Sequence, residues 1–451
     1  MGRRSRHRRP KATERRVEDM LLAAVELHRR GDMGRAETLY RRVLEAAPAH
    51  PDALHFLGVL RHAIGQSDEG VALVERAIGL VPGFAGFHNN LGNIHAERGD
   101  VPAATAAYER SIALAPAAAD PHNNLGVLYQ AAGRPEEAEA RFQRAIELDP
   151  GHANAHNNLG LLCQARNDIR GAVRNFSNAI TLAPRASDGR KLLATAYCRL
   201  GRIEDAAGVY GEWLQEDPGN PEALHLLAAC SAATVPGRAS DAFLEATFDS
   251  FARSFEKQLT ERLHYRAPQL CGAMLEQYLP APARQFALLD AGCGTGLCGP
   301  LMAPWAASLT GVDLSSGMLD RARNKGVYDV LEKAELTAFL ERSHERWDVV
   351  LSADTLVYFG NLEPVLAAAR GALRPDGLLV FTVEARADEA NRPWELLPHG
   401  RYAHTRSYVE AVLAHAGLAL LEIEPEVLRF EAGDPVNGWL VTARKRDPAF
   451  H

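Results

Sequence analysis

The chain is poor in cysteine, and its cysteines follow no pattern: Cys163, Cys198, Cys230, Cys271, Cys293 and Cys298 are scattered through 451 residues. None forms a C-x-x-C pair, and two sit in a glycine-rich loop. Neither a disulfide framework nor a zinc site follows, and a reducing, cytoplasmic setting is expected. No apolar run approaches the length of a membrane helix, so no transmembrane segment is expected. No metal-ligand cluster is present. Net positive charge is missing beyond the N-terminal arm: the chain's net charge is −7, although Arg3, Arg4, Arg6, Arg8, Arg9, Lys11, Arg15 and Arg16 crowd the first 16 residues against Glu14. With the remainder acidic, nucleic acid is not expected as a partner. Residues 1–16 read as a disordered, solvated arm, or else as a contact to phosphates, an acidic partner or a membrane surface. No apolar stretch follows the arm, so it is not a secretory signal, and Gly2 with Ser5 misses the myristoylation spacing.

What the chain does have is a period. Pro48, Pro82, Pro116, Pro150, Pro184 and Pro218 recur every 34 residues. In the same frame Ala24, Gly58, Gly92, Gly126, Gly160 and Ala194 share one position. Ala36, Gly70, Ala104, Ala138, Ala172 and Ala206 share another. A third carries Tyr40, Val74, Tyr108, Phe142, Phe176 and Tyr210. Small residues at two positions let antiparallel helices approach closely, and the large residue at the third fills the gap to the neighbour. The proline ends the second helix. This pattern resembles the tetratricopeptide repeat from Val17 to about Asn220, though the usual tryptophan near the repeat start is absent. Pro221–Cys230 looks like a capping helix, which completes a solenoid domain over 17–234. Three repeats share His-Asn-Asn-Leu-Gly, placing Asn89, Asn90, Asn123, Asn124, Asn157 and Asn158 on the first helix of their repeats. Amides in register on the concave face suit a protein or peptide partner. The alternative is that they satisfy one another and neighbouring turns.

Thr234–Ser240 reads as a linker and Asp241–Leu263 as an amphipathic helical stretch. From Phe286 strands and helices alternate, which predicts a parallel α/β sheet. The expected strands are Phe286–Asp290, Ala307–Asp313, a weak one near Val330–Leu336, Trp347–Ser352 and Gly377–Val383. A closing antiparallel pair, Leu418–Arg429 and Trp439–Arg444, follows a helix over Ser407–Ala416.

The richest stretch is Asp290-Ala-Gly-Cys-Gly-Thr-Gly296, a strand that ends in an acid and then in alternate glycines. Gly294, Gly296 and Gly299 also read as the G-x-G-x-x-G of a dinucleotide site. A pyrophosphate on these glycines would be repelled by an ionised Asp290, whereas the ammonium and sulfonium of S-adenosylmethionine would be attracted. Asp313, 21 residues after Gly292, ends the next strand, where a doubly wound sheet places the carboxylate for the ribose hydroxyls. The charge argument favours the methyl donor, and a dinucleotide oxidoreductase stays as another reading.

Together with Gly311-Val-Asp-Leu-Ser315, Trp347-Asp-Val-Val-Leu-Ser-Ala-Asp354 and Leu373-Arg-Pro-Asp-Gly377, this loop resembles the successive motifs of class I S-adenosylmethionine-dependent methyltransferases, over about 241–447. Thr247-Phe-Asp-Ser-Phe-Ala-Arg-Ser-Phe-Glu256 and Leu263-His-Tyr-Arg-Ala-Pro268 are similar to the predicted bacterial methyltransferases that carry tetratricopeptide repeats. The resemblance implies a multidomain chain: an all-α solenoid, then a Rossmann-like α/β domain with a parallel sheet and a C-terminal antiparallel hairpin. It implies that Gly292, Gly294 and Gly296 pack the methionine part while Asp290 orients its ammonium through a backbone or water contact. Asp313 would take the ribose, Leu314 and Met318 would flank adenine, and Glu335 would accept from the adenine amino group. Asp354 would lie at the ligand edge of the sheet. Tyr265 and a Phe251/Phe255 face would form a lid, although those phenylalanines also fit ordinary helix core. For a proton acceptor the candidates are Tyr358 and the segment His399–His404, above all His404. The competing function is an interaction protein whose methyltransferase fold is inactive or senses the cofactor.

Overall fold

In this computed structural model the described residues are 12–183, 187–231, 235–252, 256, 264–388, 392–431 and 434–446. The chain divides into two compact units, Met1–Gly189 and Arg190–His451.

The first unit is all helix. Its pairs are Ala12–Arg29 with Met33–Ala46, Pro51–Ala63 with Ser67–Leu80, Ala85–Glu97 with Val101–Leu114, Ala119–Ala131 with Pro135–Leu148, and Ala153–Ala165 with Ile169–Leu182. The first helix begins inside the stretch expected to be a disordered arm, so Arg15 and Arg16 are helical; residues 1–11 lie outside the described residues. The period has a steric cause. A Cβ at Gly92, Gly126 or Gly160 would meet Tyr108, Phe142 or Phe176 at 2.5–2.6 Å. Each aromatic therefore presses onto the glycine of its own repeat rather than filling only a gap to the next. Asp32, Asp100 and Asp168 cap the second helices by accepting from backbone N–H groups three residues on, the usual work of a short carboxylate at a helix start.

The second unit opens with the last repeat, Ser187–Arg199 and Ile203–Glu216, and the expected capping helix Pro221–Cys230. The domain boundary read from the sequence lay after this repeat, at the linker. Residues of that linker are tied down instead: Gly360 and Asn361 donate backbone N–H groups to Gly237 O, Ala239 N–H to Tyr358 O, and Tyr402 Oη to Pro236 O, at 2.8–2.9 Å.

The sheet follows. Its strands are β1 (Phe286–Ala291), β2 (Ala306–Asp313), β3 (Val330–Lys333), β4 (Trp347–Ser352), β5 (Leu373–Arg386), β6 (Trp394–Leu396), β7 (Tyr402–Thr405), β8 (Leu418–Glu431) and β9 (Asp434–Lys445). The order β3-β2-β1-β4-β5 is parallel throughout, β7 continues it beside the end of β5, and β6 and the β8–β9 hairpin are antiparallel. Both faces are covered, so the central strands are apolar throughout rather than alternating. Leu288, Val349 and Leu351 pack on one side with Cys271 and Met302, while Leu289 and Val350 pack on the other with Phe339 and Leu366. The short strands β6 and β7 escaped the sequence reading, because three or four residues show no period.

Candidate active site

A cavity of about 450 Å³ opens at the carboxyl ends of β1, β2 and β4, where ligands of open parallel sheets bind. Its floor is the glycine loop. Gly292, Gly294 and Gly296 have φ of +79°, +53° and +84°, left-handed values that favour glycine. A Cβ on Gly292 would stand 2.1 Å from Thr355 Oγ1. The loop is held to β2 by the N–H groups of Gly292 and Cys293, both donating to Val312 O at 2.9 Å.

Asp313 ends β2 and lines the cavity. Gly294 N–H donates to its Oδ2 at 2.9 Å and Ser315 N–H to its Oδ1 at 2.8 Å. Burial raises its pKa, against the pull of these N–H groups. Ser315 also caps the helix Ser316–Arg323 and donates to Asp249 of the helix Asp241–Phe251 at 2.5 Å, which pins the two helices together. Glu335 lines the cavity while capping Leu336–Glu341, accepting from the N–H groups of Thr337 and Ala338. Tyr265, Leu314, Met318 and Asp354 line it too.

Other expected positions fall elsewhere. Asp290 is 1% exposed and does not line the cavity; it accepts from Tyr328 Oη at 2.6 Å. Burial pushes its pKa up to about 7. It supports the loop from beneath and is not placed to touch an ammonium directly. Gly296 likewise packs against Tyr328 and Ala322 rather than facing the cavity. His404 is fully buried on β7, and its Nε2 faces Phe359 O at 2.8 Å and Gly360 O at 3.2 Å. Burial drives its pKa down to about 4, so it is a neutral donor holding the loop after β4, and its role as a base is corrected. Phe255 lies outside the described residues, as does the side chain of Phe251.

The opposite half of the cavity is charged. Arg429 on β8, 3% exposed, bonds Asp354 Oδ2 at 2.6 Å, Glu431 Oε1 at 2.7 Å and Glu384. Arg401 holds Glu384 at 2.6 Å and Glu431 at 2.5 Å. Burial opposes ionisation of Glu384, but the two guanidiniums hold its pKa below the ordinary value. His399 also lines this half, and burial keeps it neutral, with a pKa of about 4. Tyr358 lines it as well, and burial raises its phenol pKa. Among the described residues that line the cavity, Thr295 Oγ1 in the glycine loop and Asp354 Oδ1 are buried oxygens without a partner. Asp354 also has φ of +57°, a conformation that is costly for a non-glycine residue. Sequence reasoning missed Thr295, Arg401 and Arg429. Arg429 shares its strand with Glu422, Glu424 and Glu426, so its charge did not stand out in the sequence.

Residues 262–423 match a family model described as a methyltransferase domain, and residues 21–83, 84–151 and 164–230 match three tetratricopeptide repeat models. The chain carries tetratricopeptide repeats and a methyltransferase domain.

Relatives align with parts of this chain. It is 40% identical over 90 residues to methyltransferase-like protein 27 of Homo sapiens, covering 20% of this chain and 36% of that protein. It is 30% identical over 139 residues to a malonyl-(acyl-carrier protein) O-methyltransferase of Enterobacter lignolyticus, covering 30% of this chain and 55% of that one. The chain thus spans between about a third and about half the length of these two. Among solved structures, Pseudomonas aeruginosa pilF is similar at 17% identity and a TM-score of 0.41, covering 48% of this chain and 99% of that one. No helix among the described residues is long and apolar enough to cross a membrane, and no group of metal-binding side chains occurs among them.

Proposed function

We propose that the α/β unit transfers a methyl group from S-adenosylmethionine to an acceptor, and that the repeats recruit the protein that bears or delivers it, in the cytoplasm. The observation that carries the cofactor is Asp313: a buried carboxylate at the end of β2 that lines the cavity, its oxygens oriented by Gly294 and Ser315. The residues fit that group further. Thr295 Oγ1 is a buried hydroxyl without a partner in the floor of the cavity, and such an atom is costly unless a ligand satisfies it. Glu335 stands at the adenine side with its carboxylate already oriented by two N–H groups. Asp290 gives the glycine loop its shape through Tyr328.

When bound, the cofactor supplies an activated methyl group. What the chain contributes is position, dryness and a place for a proton. Tyr265, Phe248 and Tyr358 wall the cavity, with Phe248 and Tyr358 packed edge to face at 5.5 Å. Tyr358, its phenol pKa raised, acts at neutral pH as a hydrogen-bond donor. With His404 bonded away from the cavity, the group suited to hold an acceptor proton is Asp354. Its Oδ1 is free while Arg429 fixes Oδ2, and burial raises its pKa toward that of a useful base.

The test is calorimetry. Wild type is expected to bind S-adenosylmethionine, and Asp313→Ala to bind it about a hundredfold more weakly, the worth of two hydrogen bonds to a charged acceptor. Absence of binding by wild type would overturn the reading. Binding of NAD in its place would restore the dinucleotide alternative. Binding with no turnover on any partner would favour the sensor or adaptor.

A further inference from the structure

The cavity is not walled by the α/β fold alone. Lys191, Glu222 and Leu226 line it, and all three belong to the last repeat and its capping helix. Lys191 Nζ is ion-paired with Glu222, and their side chains are 41% and 26% exposed, which places the pair at the mouth rather than the floor. The repeat is docked firmly. His225 Nε2 faces Gly400 O at 2.8 Å, and its ring stacks on Phe243 at 4.1 Å. Burial lowers the pKa of His225, so it is neutral. Gly400 lies between His399 and Arg401, so this contact also sets the charged half of the cavity.

The 34-residue frame gives these positions a meaning. Lys191 occupies in the last repeat the position that Asn89, Asn123 and Asn157 hold in earlier ones, and His225 is the next in that file. Leu226 follows Asn90, Asn124, Asn158 and Leu192 in the adjacent file. In the last repeat, then, the face that elsewhere carries an amide ladder from repeat to repeat has become cavity wall. Volume points the same way. About 450 Å³ is at the lower end for ligand cavities, which suits a cofactor and a slender side chain reaching in from a polypeptide better than a cofactor and a second bulky small molecule.

We infer that the last repeat is the acceptor wall of the cavity, and that the acceptor is a polypeptide side chain whose flanking chain is read by the Lys191–Glu222 pair; this rests on the methyltransferase reading above. A paired cation and anion at the mouth present one acceptor and several donors to a passing backbone, and their order selects the charge of its neighbours.

The test uses the full chain with S-adenosylmethionine labelled in its methyl group. Two pools from one cell extract serve as acceptors: desalted polypeptides, and the small-molecule filtrate. Label is expected in the polypeptides. Lys191→Glu should lower it about tenfold while cofactor affinity by calorimetry stays unchanged. The charge swap Lys191→Glu with Glu222→Lys restores the ion pair and so isolates recognition from folding; it should stay as poor as the single variant on the same polypeptides. Label confined to the filtrate, label in neither pool, or wild-type labelling by the swapped pair would overturn the inference. A wild type that binds no cofactor overturns instead the reading on which it rests.

Discussion

The polar groups of the solenoid and those of the cavity face opposite problems. Along the repeats the amides answer one another: Asn158 Nδ2 donates to Asn123 Oδ1 at 2.9 Å, and Asn124 Nδ2 to Asn89 and Asn93 at 3.1 Å each. Asn90 Nδ2 meets His55 Nε2 at 2.7 Å. This ladder runs from repeat to repeat and stiffens their stacking. In the cavity, Thr295 Oγ1 and Asp354 Oδ1 are buried with nothing to bond, and burial pushes the Asp354 carboxyl there, and that of Asp290 beneath the loop, toward neutrality. A satisfied network stabilises; an unsatisfied one is a standing cost that a ligand relieves. The first arrangement describes a scaffold and the second a site, although both arise from short polar side chains beside glycine. Asn157 Oδ1 and the Nδ1 atoms of His55, His122 and His156 are exceptions beside the ladder, buried without a partner.

The contrast can be broken by mutation. Gly292→Ala should have the largest effect, because its φ is +79° and its Cβ would collide with Thr355. A loss of about 3 kcal/mol or more with no measurable cofactor binding is expected from thermal melts and calorimetry. A variant that melts and binds like wild type would remove the steric argument for the loop.

Asp290→Asn comes next and acts through pH. The carboxyl takes up its proton more readily in the fold, with a pKa of about 7, than in the unfolded chain at about 3.9. Its contribution is therefore fully present below pH of about 4 and lost as pH rises through about 7. Denaturant curves should show wild type losing stability across that window, by up to about 4 kcal/mol, while the amide variant stays flat. Parallel curves for the two proteins would mean that Asp290 is not a buried acid.

Smallest is Asn124→Ala in the ladder, expected to cost about 1 kcal/mol with cofactor affinity untouched. An effect on the cofactor would contradict the separation of scaffold from site.

Much of this was legible without coordinates. The helix pairs follow from a 34-residue period in which glycine and a large side chain must coincide, a constraint repeated often enough to read. Strands β1, β2 and β4 follow from short apolar runs that end in Asp290, Asp313 and Ser352. The positions of Gly292, Gly294 and Asp313 follow from spacing, because a strand, a turn and the next strand leave little freedom. His404 was misread for a reason that recurs: a histidine near a site looks the same in sequence whether its nitrogens face the cavity or a backbone carbonyl. Asp290 was misread in part, since spacing places its backbone at the turn and not its carboxylate against Tyr328.

The sequence by itself determined the two architectures, the glycine loop and the place of the Asp313 carboxylate, because each depends on local spacing and on sterics that only a few residue types satisfy. Only the tertiary structure decided who shares the cavity. Arg429 comes to Asp354 from 75 residues away, and His225 reaches Gly400 across 175. Contacts between distant segments leave no period or motif behind them. They appear only once burial forces each charge to find its partner, and it is these contacts that turned an expected linker into a joint and the last repeat into a wall.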